Sequence, residues 1–525
     1  MLGPELSLLL LNSVLLTLLV VPLLMWRYRR AVLAGMMARA AEVLRPAPPR
    51  PVSPARAGEP RALLEWERRL HRRVFIAVLG VVFVCALPLS ALFLVLADLP
   101  HTPLHLYQKA GVLATLAVPM TAVLIALPFG RALRLWAATL LVLAAAGLGL
   151  ALLQRLAMGR APSLDQALNF LLFLQLAGVT LWLPLALLLA TGARRVRGVA
   201  PIVLAGLLVF ALGPLLGMRL TVWLTGTRTG AEWVLAGPGL DTGFVLLALP
   251  TGLLAWWRLR SLARAYEAKR FSDAQLLLRT WWLLVVAVEV VDQVNAHPDA
   301  LLAVLATAAV AFAAFAPLLG LALKWAAALP GRPPPRTLLV LRVFGDTARS
   351  EALFDRVVAR WRWFGPVTLI AAPDVVARTV DPGDFLQFAS GNIGASFVNT
   401  QHELEHRLAT LDLAPDPDGR YRVNEFCCRD SSWQATVVQL IERADAVLMD
   451  LRGFSAQRMG CEFELRELAL RLRGEQVVLG VDASTDRALL GAALGAAWRG
   501  AIVELPRHHA RQADAAFDAL LRAAA

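Results

Sequence analysis

The most specific spacing for chemistry in this chain is His402-Glu403-Leu404-Glu405-His406. On a helix, histidines four apart share a face and can hold zinc, with Glu403 as the base that activates a metal-bound water. Glu425, 19 residues beyond His406, is a candidate third ligand. Three ligands and an open position make a catalytic zinc site, so this pattern suggests a metallopeptidase. Glu405 and Arg407 put charges beside the histidines, and an exposed, charged helix is the favoured reading of the same residues. A second cluster holds Glu462 and Glu464, which on a helix point about 200° apart, so only one of them can face a cleft. A third candidate is Glu289, an acid inside an apolar run. An intramembrane carboxylate marks a functional site or pairs with a cation. Arg279 and Arg219 are the available cations, and a transporter centred on Glu289 is the corresponding reading.

These residues must be positioned by two different kinds of structure. The chain has 525 residues, 58% of them hydrophobic and 17% charged, with a mean hydropathy of +0.60. Soluble domains carry about 25% charged residues, so a purely soluble enzyme is excluded. Apolar runs at 6–26, 74–97, 110–130, 135–153, 167–190, 199–217, 242–257, 276–294 and 300–323 are candidate bilayer-crossing helices. Basic residues concentrate in alternate loops, which predicts nine spans with the N-terminus outside and the C-terminus in the cytoplasm. The expected setting is the inner membrane of a bacterium, with the lipid bilayer as a partner and the bundle (1–327) as an anchor that can homo-oligomerise. Residues 27–73 form a basic cytoplasmic loop with a Pro-rich centre. Its flanks, 31–44 and 61–73, set topology by positive charge or lie as amphipathic helices on the anionic leaflet.

The net charge of +13 does not indicate nucleic acid. Residues 337–525 carry 21 Arg against 25 acids, whereas the first 336 carry 31 Lys and Arg against 14. The basicity belongs to membrane-flanking loops. Only Lys109, Lys269 and Lys324 are lysines, so residues 337–525 hold neither a P-loop lysine nor a Schiff-base lysine. The four cysteines, Cys85, Cys427, Cys428 and Cys461, form no CxxC pair.

A Pro-rich linker at 328–336 precedes a different pattern. Apolar runs at 337–343, 366–372, 445–451, 476–482 and 501–505 alternate with helical stretches. That predicts a parallel five-stranded flavodoxin-like α/β domain over 337–525, interrupted by an insertion at 375–431. Ligands of such sheets bind beyond the carboxyl ends of the strands, where the strand order reverses. The loops there carry Phe344, Asp346 and Arg349 after the first strand, and Asp450, Arg452, Gly453 and Ser455 after the third.

The segment Ser455 to Leu465, with Gly460-Cys461-Glu462-Phe463-Glu464-Leu465 at its end, resembles the third strand-to-helix segment of TIR domains and their C-x-x-E-L signature. FGDTARSEALF (344–354) resembles a TIR first loop. Gly460 stands where those domains carry Trp. The resemblance implies a nucleotide such as NAD as ligand and, in NAD-cleaving members, Glu464 as the catalytic carboxylate, with Glu462 beside it. A Glu close to an anomeric carbon stabilises an oxocarbenium-like transition state or attacks it, and Arg349 or Arg452 would hold a diphosphate. The tail is also similar to bacterial multi-pass membrane proteins that carry GRYRVNEFCCRDSSWQ, VLMDLRGFS and GCEFEL, a likeness that brings no activity with it. The expectation is a membrane-anchored TIR-like domain that binds a small ligand or a partner protein in signalling or stress response.

Overall fold

The computed structural model describes residues 4–37, 43–46, 48, 60–98, 102–125, 129–157, 202–207, 250, 252–254, 257, 261–262, 264–342, 347–371, 388, 397–429, 431–495, 498–505 and 509–524. The chain divides into two compact units. One is built on Met1–Leu24 and Arg73–Ala326, the other on Met25–Arg72, Ala327–Val380 and Asp384–Ala525.

The first unit is helical. Its elements are the start of α1 (Pro4–Met37), most of α2 (Pro60–Leu96), α3 (Pro103–Leu124), α4 (Phe129–Ala157), α5 (Asp273–Ala296) and α6 (Leu301–Ala327). Four of them, α2, α4 from Arg134, α5 and α6, are long and apolar enough to cross a membrane. Six expected spans fall on α1 to α6, the run 110–130 straddling the end of α3 and the start of α4. The run 167–190, and most of 199–217 and 242–257, lie outside the described residues. Helix α5 starts from a capping box: Ser272 Oγ accepts from Gln275 N at 3.1 Å, and Gln275 Oε1 accepts from Ser272 N at 2.9 Å. It is apolar on nearly every side and buried over most of its length, as the inner helix of a bundle must be. Trp282 fixes it to α6 by stacking on Phe315 and donating to Ala311 O at 3.1 Å.

The second unit holds a seven-stranded parallel sheet in the order β3-β4-β2-β1-β5-β6-β7. Its strands are β1 (Leu338–Arg342), β2 (Val367–Ala371), β3 (Phe397–Val398), β4 (Val423–Cys428), β5 (Ala446–Asp450), β6 (Val477–Val481) and β7 (Ala501–Glu504). The five strands expected from sequence are β2-β1-β5-β6-β7, the doubly wound flavodoxin-like order. The sheet size differs from expectation because the insertion supplies two more strands. Among the described residues, β3 pairs with Cys427 and Cys428 of β4. The polar first half of β4 is half-buried, so it lacks the apolar run that marks a central parallel strand.

Strand residues alternate between faces. Leu339, Leu341, Val447, Met449, Leu479 and Val481 share a core with α8 (Gln401–Ala409), α9 (Trp433–Ile441), α10 (Met459–Arg471) and α11 (Arg487–Leu494). On the other face α7 (Thr347–Trp361) and α12 (His509–Ala524) pack together, with Phe517 against Trp361 and Phe364.

The described parts of Met25–Arg72 fold with the α/β unit. In α1, Tyr28 meets Phe388 edge-on, and Gly35 lies so close to Phe397 that a Cβ there would sit 2.5 Å from its ring. Leu44 N donates to Ser431 O at 3.1 Å. In α2, Trp66, Glu67 and Leu70 turn inward while Arg68, Arg69 and Arg72 face out. The buried apolar stripe, with Trp66 against Phe364, explains why 61–73 packs on protein instead of lying free. It is the first part of one uninterrupted 37-residue helix.

Candidate functional site

The chain passes from β1 outward to β2 and later returns to place β5 on the other flank of β1. The strand order therefore reverses between β1 and β5, and in doubly wound sheets ligands bind beyond the carboxyl ends of the strands at that point. Asp450 closes β5, in register with Arg342 of β1. The following loop turns sharply at Gly453, whose φ of +74° is a left-handed conformation that a side chain would strain.

Asp450 and Arg452 form a buried, bidentate ion pair. Arg452 Nε donates to Asp450 Oδ1 at 2.9 Å and Nη2 donates to Oδ2 at 2.6 Å, while the Arg452 backbone N–H reaches Oδ1 at 3.1 Å. Nη1 extends to Gln512 Oε1 of α12 at 3.3 Å. Asp450 is 1% exposed and Arg452 3%. The guanidinium expected to clamp a diphosphate is thus closed on a carboxylate, and an anion would have to compete for it. The neighbouring loop is tied to the same place. Ser484 Oγ accepts from Gly453 N at 2.9 Å, and Thr485 Oγ1 donates to Leu451 O at 3.0 Å. Ser455 is half-buried on the outgoing strand of this loop. Phe344 and Asp346 lie outside the described residues, as does the side chain of Arg349, whose backbone sits in the first turn of α7.

Helix α10 carries the two neighbouring glutamates on different faces, as their spacing requires. Glu462 is half-exposed and pairs with Arg466 one turn on. Glu464 is 3% exposed, its Oε2 is buried without a hydrogen-bond partner among the described residues, and desolvation pushes its carboxyl up to about 8. Trp433 and Phe463 meet edge-to-face beside it in sequence, and a Cβ on Gly460 would touch Trp433 at 3.7 Å.

The HExxH residues form α8. Glu403 is committed to its N-terminus: Thr400 Oγ1 accepts from Glu403 N at 3.2 Å, while Glu403 Oε2 accepts from Asn399 N at 2.7 Å and Thr400 N at 3.2 Å. This capping box satisfies donors that the helix leaves open. His402 and His406 are exposed. Glu425 lies on β4, where its backbone carbonyl accepts from Arg407 at 3.2 Å. The structure does not draw His402, His406 and Glu425 into a ligand set. Among the described residues, no three His, Cys, Asp or Glu are placed to hold a metal ion. Cys427, Cys428 and Cys461 are buried free thiols, and burial raises that of Cys428 to about 11.

Glu289 has a partner that the sequence did not single out. Lys109 of α3 reaches Glu289 Oε2 at 3.1 Å, and its ammonium also lies 4.3 Å from the centre of the Phe93 ring of α2. The expected partner Arg279 faces Phe271 instead, and Arg219 lies outside the described residues. Also missed was Glu67 of α2, which binds Arg360 of α7 bidentately at 2.8 and 2.7 Å. The signal available was its type: an acid on the inward stripe of an Arg-rich helix, between Trp66 and Leu70.

No protein-family model matches the chain, nor does any curated protein or solved structure. Fold and site define its class: a chain with several membrane-spanning candidates and a doubly wound parallel α/β unit.

Proposed function

We propose that this protein is a membrane-anchored, TIR-like α/β domain that binds a small nucleotide-like ligand at the carboxyl ends of β1 and β5, in signalling. The single observation that carries the reading is the reversal of strand order at β1 and β5, with the left-handed turn at Gly453 beside it. In this reading the anchor has nine spans in a bacterial inner membrane, the N-terminus outside and the α/β domain in the cytoplasm. The helical unit holds the domain at the bilayer and can homo-oligomerise. Calorimetric titration of the full chain in nanodiscs with NAD and other nucleotides tests it. Binding that weakens at least tenfold in Gly453→Val supports the reading, and no heat with any nucleotide counts against it.

A second reading, NAD cleavage by Glu464, is favoured by that carboxyl's burial without a hydrogen-bond partner among the described residues. The ionised form is the reactive one at an anomeric carbon. NAD consumption should therefore rise with pH through about 8, level off above it, and vanish in Glu464→Ala. Intact NAD under the same conditions removes this reading and leaves the binding site standing.

A further inference from the structure

Within the helical unit, Arg73 of α2 lies over the ring of Trp325 of α6, its guanidinium 5.2 Å from the ring centre. A guanidinium stacked in this way keeps its N–H edges turned outward, where they can hold a phosphate bidentately. Lys324, exposed beside Trp325, adds a second cation. Among the described residues, neither of these side chains makes an ion pair or a hydrogen bond. From Arg73 onward α2 holds no Asp or Glu, and α6 holds none at all, so no acid on either helix balances the two charges. The surface beyond them changes at once to hydrocarbon. On α2, Ile76, Gly80 and Val84 continue the face of Arg73. Ile76 is 53% exposed, Val84 is exposed as well, and on α6 Leu321, one turn before Trp325, is 65% exposed. Trp325 itself is half-exposed between the charges and the apolar side chains. Cations, then an indole, then hydrocarbon is the order of surroundings that suits a phospholipid from its phosphate to its acyl chains.

We propose that Arg73, Lys324 and Trp325 bind the phosphate headgroup of an anionic phospholipid, with its acyl chains along Ile76, Val84 and Leu321. The site rests on α2 and α6 crossing a bilayer, for which both are long and apolar enough, and is independent of the nucleotide reading. Charge sets the class of lipid. Two cations without a neighbouring acid favour a headgroup of net negative charge, whereas a choline headgroup carries a cation of its own. Free phosphate offers the same oxygens but leaves the apolar half of the site uncovered, so the occupant is the lipid. Arg73 is held by stacking and not by a carboxylate, so no ion pair has to open before the headgroup binds. Seated there, the lipid joins α2 to α6 where the charged and apolar surfaces meet, and reinforces the contact of Arg73 with Trp325.

Native mass spectrometry of the full chain in detergent micelles tests this, with phosphatidylglycerol, phosphatidylcholine of the same acyl chains, or inorganic phosphate added. One phosphatidylglycerol should bind at least about tenfold more tightly than phosphatidylcholine, and equimolar inorganic phosphate should not displace it. Arg73→Gln combined with Lys324→Gln should abolish that preference. Arg61→Gln combined with Arg68→Gln removes the same charge from two other exposed positions of α2 and should leave it intact. If the first double variant fails to fold, Trp325→Leu serves in its place. It keeps the apolar bulk and loses the stacking, and should weaken phosphatidylglycerol about threefold while phosphatidylcholine is unchanged. Equal affinity for the two lipids overturns the proposal. So does an equal loss in both double variants, which would mean attraction by overall positive charge, or release of the lipid by inorganic phosphate. No nucleotide is present, so the outcome is separate from that of the nucleotide titration.

Discussion

Glu289 in the helical unit and Glu464 in the α/β unit are both buried carboxylates, and they meet burial in opposite ways. Glu289 keeps a cation at 3.1 Å. Glu464 has no hydrogen-bond partner for its buried oxygen among the described residues and holds its proton up to about pH 8. Among greasy helices a charge is held by a specific counter-charge, and the pair ties two segments far apart in sequence. In the α/β unit the carboxyl is kept neutral, leaving a titratable group in reserve close to neutral pH. Pairing is a fastening, whereas solitary burial is a latent charge.

The comparison breaks most decisively at Lys109. Lys109→Ala leaves Glu289 buried and uncompensated, and should destabilise the helical unit by about 3–5 kcal/mol. Adding Glu289→Gln should restore most of that, as read by denaturant unfolding in micelles. If the single variant is as stable as wild type, the pair is no fastening.

At Glu464 the expected effect is smaller and depends on pH. The folded carboxyl titrates near 8 and the free one near 4.5. Between those values the folded chain holds a proton that the unfolded chain has released, so stability falls as pH rises through the window and levels off above it. Glu464→Gln should abolish that slope, gaining about 1–3 kcal/mol over wild type at pH 9 and almost nothing at pH 4.5. Parallel pH profiles for the two proteins would mean that Glu464 is solvated or paired. Glu462→Ala sharpens the contrast from the other side. Its pair with Arg466 is a surface, one-turn contact and should cost less than about 0.5 kcal/mol at any pH.

Much of the sheet was legible because buried parallel strands write themselves as short apolar runs. β1, β2, β5, β6 and β7 each lie within a residue or two of the expected span. β4 was not legible, since the half-buried Asn424 and Glu425 interrupt the apolar continuity of a central strand. The divergence of Glu462 and Glu464 followed from helix geometry alone. The pairing of Lys109 with Glu289 could not be read, because it joins segments 180 residues apart and depends on how α3 packs on α5. Likewise, residue type alone made Arg452 a phosphate ligand, and only the folded turn shows it curled back on Asp450. The HExxH spacing was visible, yet one of its glutamates serves to start the helix.

The inward residues of α2 form one stripe through its length: Trp66 and Leu70, then Val74, Val78, Val82, Cys85 and Leu89. From Trp66 to Val82 each step of four residues advances about 40°, so the buried stripe winds roughly 160° round the helix over that stretch. Within one helix the rotational phase of each residue follows from its number alone. A single residue inserted after Arg72 would rotate Glu67 by about 100° relative to the apolar stripe, whereas seven residues, about two turns, would nearly restore it. Insertions in this helix thus preserve the phase of Glu67 only in periods of about the heptad, a rule that follows from helix geometry alone.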